Sequence, residues 1–168
     1  MLLQDLDYCL DVISDTKTDT TPSLKVTSEG VFFAGQYFDA LQCVKEILSS
    51  ARRSVVIIDG YIDHNVLNLI ASKGASVEVS VLTKSISDSF RTLAIAFNKP
   101  YGMLSVRTSD VFHDRFVIID DRDFYHFGAS IKDLGRRGFM FSRIEETLVV
   151  DELRKQWTNE WKKAKVEI

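Results

Sequence analysis

A chain of 168 residues is long enough for one well-buried domain and short for two. Its 45% hydrophobic and 27% charged residues describe an ordinary globule and exclude general disorder. The net charge of -3 is concentrated at the start, where Asp5, Asp7, Asp11, Asp15 and Asp19 face Lys17 alone; the remainder is close to neutral and holds a local basic run of Lys132, Arg136, Arg137 and Arg143 against Asp133. The longest apolar runs, VVII from Val55 and FVII from Phe116, are too short to span a bilayer, and the amino terminus lacks the basic start of a secretory signal. A cytoplasmic protein without membrane association is expected. Cys9 and Cys43 lie in apolar helical patterns without metal-ligand spacing, so both read as reduced core residues.

In chain order, Leu2, Leu3, Leu6, Cys9, Leu10 and Ile13 recur at helical spacing, and the polar string SDTKTDTTPS follows as a linker. Residues 1–22 are therefore an N-terminal helix and linker, and residues 23–168 the main domain. LKVTSEGVFF reads as two short strands around a Glu29-Gly30 turn. Tyr37, Phe38, Leu41, Val44, Ile47, Leu48 and Ala51 share one face of a helix. SVVIID is an unbroken β-branched run typical of a strand covered on both faces, and its exit DGYID leads into a short helix with Asp63 as N-cap and Gly74 as stop. SVEVSVLT repeats the strand, and Ile86, Phe90, Leu93, Ala94 and Phe97 mark another helix ended by Pro100.

Alternating strands and helices predict an α/β fold with a mixed, largely parallel sheet flanked by helices. After LSVRTS, FHDRFVIID and DFYHFG are joined by only an Asp121-Arg122 turn, which demands an antiparallel pair. Leu153, Trp157, Trp161 and Ala164 form a last helix whose tryptophans read as core or interface anchors.

Side chains two apart in a strand point the same way, so His113 and Arg115 would meet one ligand. Imidazole can act as a nucleophile near neutral pH, and guanidinium donates a planar fork to phosphate oxygens. The carboxyl ends of SVVIID and its parallel neighbour form the kind of edge where ligands bind, and Asp59, Tyr61 and Asp63 lie there. An antiparallel FHDRFVIID would begin at that edge. Tyr61 either shapes a pocket or stacks on a base, whereas His126 reads as an ordinary strand residue.

The stretch resembles the phospholipase D superfamily, whose signature is H-x-K-x-x-x-x-D followed by G-S-x-N: His113, Arg115 and Asp120 hold that spacing, with Gly128, Ala129 and Ser130 after them. Element order over residues 24–165 is similar to one phospholipase D-like half, and HDRF with GASIKDLG is similar to compact bacterial domains associated with mobile-element or defence proteins. The resemblance implies that His113 attacks phosphorus, Arg115 holds phosphate oxygens, Ser130 adds a hydroxyl hydrogen bond, and Asp120 and Gly128 are structural. It also implies a carboxylate that orients the imidazole, a role open to Glu145 or Glu146. Two departures stand out: Arg115 replaces the lysine, and Lys132 and Asp133 stand where asparagine is expected.

In-line cleavage of a phosphodiester needs a nucleophile on one side and an acid on the other, and a single motif supplies one imidazole. A symmetric homodimer would supply two, without metal or cofactor. The resemblance thus implies a metal-independent phosphodiesterase, a nuclease by preference, acting through a phosphohistidine. Nucleic acid is the leading substrate class because of the local basic patch, and Tyr61, Asp63, Lys132, Arg136 and Arg137 are the candidate substrate-binding residues. The alternative is a catalytically degenerate module that binds nucleic acid, a nucleotide or a protein partner, in a defence or mobile-element setting.

Overall fold

The computed structural model describes residues 28–168. The N-terminal helix and linker, the first strand of the predicted opening hairpin and Cys9 lie outside the described residues. The described chain runs β1 (Glu29–Phe32), α1 (Tyr37–Ser49), β2 (Ser54–Ile58), α2 (His64–Ile70), β3 (Glu78–Thr83), α3 (Asp88–Asn98), β4 (Leu104–Thr108), β5 (Arg115–Ile119), β6 (Asp123–Phe127), a 3-10 turn (Ile131–Asp133), β7 (Phe139–Ile144), α4 (Thr147–Lys163) and β8 (Lys165–Val166).

All eight strands join one sheet in the order β1-β7-β6-β5-β2-β3-β4-β8. Only β2-β3 and β3-β4 run parallel, while the other five pairings are antiparallel. The sheet is mixed as expected but mostly antiparallel, not largely parallel. The difference comes from two strands absent from the sequence reading. FMFSRI, which overlaps the end of the basic run at Arg143, alternates buried Phe139 and Phe141 with exposed Met140 and pairs with both β6 and β1. Short β8 adds an antiparallel edge to β4.

Period-2 alternation divides the sheet's side chains between two apolar layers. On one face Val55, Ile57, Val117, Ile119, Tyr125 and Phe127 pack with α1, α2 and α3. On the other, Val56, Ile58, Ile118 and Phe124 pack with Leu153, Trp157 and Trp161 of α4, so the tryptophans join the smaller core. Trp161 also carries the Arg107 guanidinium 4.7 Å from its ring centre.

Local chemistry sets the ends of the elements. Asp63 caps α2 by accepting from the Asn65 backbone N–H at 2.9 Å, as its sequence position suggested, and Ser87 caps α3 through Phe90 N–H. The β5-β6 turn centres on Asp120 and Asp121, both at φ 55°, one residue earlier than expected, and is closed by Arg122 N–H to Ile119 O at 3.0 Å. Among the described residues no helix is long and apolar enough to cross a membrane.

Candidate phosphate-binding cleft

The central antiparallel pair fixes the site. Ile58 stands opposite Phe116, so one residue further along that register Asp59 stands opposite Arg115. Alternation points both toward the face covered by α1, α2 and α3. Beside them the chain leaves β6 through Gly128, Ala129 and Ser130 into the 3-10 turn. The result is an open cleft of about 590 Å³ lined by Tyr61, Arg115, Gly128, Ser130, Lys132, Arg136 and Arg137, together with Ala129, Asp133 and Gly138.

Asp59 lies behind the lining and holds two of its residues, Tyr61 and Ser130. Only 1% exposed, it accepts from Tyr61 N–H at 3.0 Å on one oxygen, and from Ile131 N–H at 2.7 Å and the Ser130 hydroxyl at 2.9 Å on the other. Burial pushes its carboxyl above the usual range, against the pull of those hydrogen bonds and of the Arg115 charge. The Ser130 hydroxyl also lies 2.6 Å from Tyr61 O. A hydroxyl donates a single hydrogen, so these two acceptors compete. A proton on Asp59 would remove the competition, letting the carboxyl donate to Ser130 while Ser130 donates to Tyr61 O.

Arg115 is the cation aimed into the cleft. Its Nε is buried without a hydrogen-bond partner among the described residues. Such a group costs on the order of 1–3 kcal/mol when left unmade, and a phosphate oxygen is a suitable acceptor. Lys132 holds its ammonium 5.3 Å from the Tyr61 ring centre. Arg136 pairs with Asp133 at 3.1 Å, and no hydrogen bond or ion pair engages Arg137 among the described residues.

The loop carrying these cations is held against α1. Gly35 N–H donates to Gly135 O at 3.0 Å. Gly135, at φ +72°, approaches so closely that a Cβ there would meet Tyr37 Cα at 2.3 Å. Gly128 likewise lies against the Met140 carbonyl, to which its N–H donates at 2.9 Å.

The residues expected from sequence do not all converge. Arg115, Ser130, Tyr61, Lys132, Arg136, Arg137 and Gly128 share the cleft. His113 does not line it. The strand begins at Arg115, so two-residue alternation does not reach His113, whose ring is 96% exposed with Asp114 Oδ1 3.5 Å from Nδ1. Asp114 also lies 3.8 Å from His126 Nε2, whose ring stands near Phe116 on the other face of the sheet. Asp63 is engaged as the α2 cap.

Glu145 follows β7, whose last residues pair with the start of β6, so it stands two strands over and at the opposite end of β5 from Arg115, displaced by roughly 13 Å along the strand direction alone at ordinary strand rise. Glu146 caps α4. Asp120, also at that far end, accepts from the backbone N–H groups of Arg52, Arg53 and Ser54. Asp59 is the site residue whose role sequence left unassigned. The signal was present in pairing arithmetic, since a β2-β5 register places the aspartate at the end of SVVIID beside the arginine of HDRF.

Comparison with known folds completes the description. No protein-family model and no curated protein matches the chain. NucT from Helicobacter pylori superposes with a TM-score of 0.64 at 15% identity, over 82% of this chain and 98% of its own. Phosphatidylserine synthase from Haemophilus influenzae gives 0.56 at 14% identity, over 82% of this chain and 39% of its own. Both share the phospholipase D-like fold, as does polyphosphate kinase from Porphyromonas gingivalis, which matches at a TM-score of 0.53 and 13% identity, over 77% of this chain and 21% of its own. The chain has a phospholipase D-like fold. TrmBL2, an archaeal chromatin protein with a novel mode of DNA binding, is similar at a TM-score of 0.57 and 18% identity, over 96% of this chain and 61% of its own. The phospholipase D-like domain thus spans nearly all of one neighbour and smaller shares of the others.

Proposed function

We propose that this phospholipase D-like domain is a metal-independent phosphodiesterase acting on nucleic acid, with its reacting centre completed by a second copy. The observation that carries the reading is Arg115, which lines a cleft with Lys132, Arg136 and Arg137 and whose buried Nε has no hydrogen-bond partner among the described residues. That cation set suits a phosphodiester, and the DNA binding of TrmBL2 supports nucleic acid as its source. The ring of His113, 96% exposed beside this edge, is available to be covered by another protomer.

In the reaction, assembly with the second copy would bring the exposed His113 ring, which lies outside the cleft in one protomer, to the phosphate held at Arg115; the imidazole then attacks phosphorus and the P–O bond to the leaving group breaks. A protonated His113 of the second copy gives its proton to the departing oxygen. That imidazole then takes a proton from water; the hydroxyl attacks the phosphohistidine, the P–N bond breaks, and a phosphomonoester leaves with His113 restored. Arg115 binds the non-bridging oxygens throughout, and Asp59 fixes the loop that presents Ser130 and Lys132. Asp120 and Gly128 act as structural members of the motif. Glu145 has no place in the mechanism within one protomer, because it lies at the other end of β5.

A second reading, a binding module without turnover, is favoured by a specific observation. The Ser130 hydroxyl is committed to Asp59 and Tyr61 O, and the nearest carboxylate to His113 is Asp114 at a weak 3.5 Å. EDTA-resistant hydrolysis of a bis-aryl phosphodiester and of labelled DNA and RNA, compared between wild type and His113→Ala, separates the two. Loss of turnover in a folded variant that still binds supports the enzyme. Equal behaviour of both proteins, with binding lost only in Arg115→Ala, supports the module.

A further inference from the structure

Tyr61 is a large aromatic residue left 52% exposed at the wall of a cationic cleft, yet both polar groups of its backbone are hydrogen-bonded within the site. Its N–H donates to buried Asp59 at 3.0 Å, and its C=O accepts from the Ser130 hydroxyl at 2.6 Å. Anchoring both polar groups of one residue to a buried carboxylate network holds the ring's base in place while the ring faces solvent. A tyrosine that served only to pack would gain by turning inward.

The geometry points to Tyr61 as a stacking platform for an unpaired nucleobase whose adjoining phosphate sits at Arg115, making the ligand of the cleft a single-stranded nucleic acid. This inference rests on the phosphate reading of the cleft and names its substrate class. Three features carry it. Tyr61 and Arg115 line the same cleft, so a base and its own phosphate can engage them together. Lys132 lies over one face of the ring with its ammonium 5.3 Å from the centre, so the base would take the opposite face, with the ammonium within reach of a second phosphate. Arg137 extends the positive track along the cleft, as a backbone-following groove requires.

The same features disfavour other phosphodiesters. Bases of a duplex have both faces covered by their neighbours and cannot present one to Tyr61 without unstacking. A phospholipid headgroup has no π-face to lay on the ring.

The test is fluorescence anisotropy of the full chain with three labelled probes of equal length: a single-stranded 12-mer of thymidylate, the same strand annealed to its complement, and a 12-mer of abasic deoxyribose phosphate. Wild type is expected to bind the thymidylate strand about five- to a hundredfold more tightly than the abasic strand, the range of base-aromatic stacking. Tyr61→Ala should bring that ratio to within about twofold of unity, and Tyr61→Phe should keep it, because stacking needs the ring and not the hydroxyl. Circular dichroism establishes that each variant is folded.

A wild-type ratio near one, an unchanged ratio in Tyr61→Ala, or equal affinity for duplex would overturn the platform. Arg115→Ala distinguishes the two levels of the reading. If it weakens both single strands while the base-dependent ratio is absent, the phosphate site stands and the platform falls. If Arg115→Ala changes neither, the phosphate site falls as well.

Discussion

The two ends of the β2-β5 pair each hold one buried aspartate, and they use it differently. Asp120, 8% exposed, gathers the N–H groups of Arg52, Arg53 and Ser54, and the Arg53 side chain reaches its carbonyl. Burial alone would raise its carboxyl, but the hydrogen bonds from Ser54, Arg53 and Arg52 outweigh that and hold it below the ordinary range. Asp59, 1% exposed, also accepts three hydrogen bonds, yet burial wins and it stays above the ordinary range. Similar numbers of donors therefore produce opposite shifts, and the deciding quantity is access to water. One end is a staple that closes the chain entering β2. The other sits behind a cleft and anchors Tyr61 and Ser130, which line it.

The largest expected effect lies at the staple. Asp120→Ala leaves three backbone donors without their acceptor and should cost about 3 kcal/mol, or roughly 6–12 °C in Tm for a chain of this size. Oligonucleotide affinity of the folded fraction should stay within twofold of wild type. Calorimetry and anisotropy on the same sample check both halves, and a large loss of affinity would break the separation between the two ends.

At the cleft end, Asp59→Asn keeps the shape but sets an amide donor against N–H or O–H donors. A stability loss of about 1–2 kcal/mol is expected, with roughly fivefold weaker oligonucleotide binding as the Ser130 and Lys132 loop loosens. Unchanged affinity would reduce Asp59 to a packing element. Urea unfolding and binding titrations provide the readout.

The opposite shifts give a pH signature. Asp59 has a raised folded value, so its contribution favours the fold on the acid side and fades as pH rises through the window above about 3.8. Asp120 has a lowered one, so its contribution is present above about 3.8 and lost as pH falls below it. Urea midpoints at pH 3, 4, 5 and 7 should thus decline less steeply toward acid in Asp120→Asn than in wild type, and more steeply in Asp59→Asn. Parallel profiles would mean that the two carboxyls do not differ as described.

The smallest effect is predicted for Glu145→Gln. This exposed carboxylate is beyond the end of β7 away from Arg115, so stability should change by no more than about 0.5 kcal/mol and phosphodiester hydrolysis by less than twofold. A large loss of hydrolysis would require that carboxylate to reach a site through a second copy.

Much of this arrangement was legible in local pattern. The β-branched runs at Val55 and Phe116 announced buried strands, the apolar stripes announced α1 and α3, and Asp63 announced the start of α2. FMFSRI was harder to read, because it follows a basic run, sets exposed Met140 between its phenylalanines and continues with half-buried Ser142 and exposed Arg143. The same mask hid the sheet's antiparallel majority, since β7 links β1 to β6.

For the site, the spacing from Arg115 to Ser130 pointed to residues that share one cleft, and composition placed cations near it. Sequence by itself determined which residues were chemically suited to phosphate and which segments would be strands, because residue type and two-residue alternation are local properties. Only the tertiary structure decided that Asp59 stands across from Arg115, that Ser130 turns inward, that Glu145 falls at the far end, and that β5 starts too late to carry His113 into the cleft. Those outcomes depend on strand order, register and the residue at which pairing begins, which are set by contacts between segments as distant in the chain as Asp59 and Ile131.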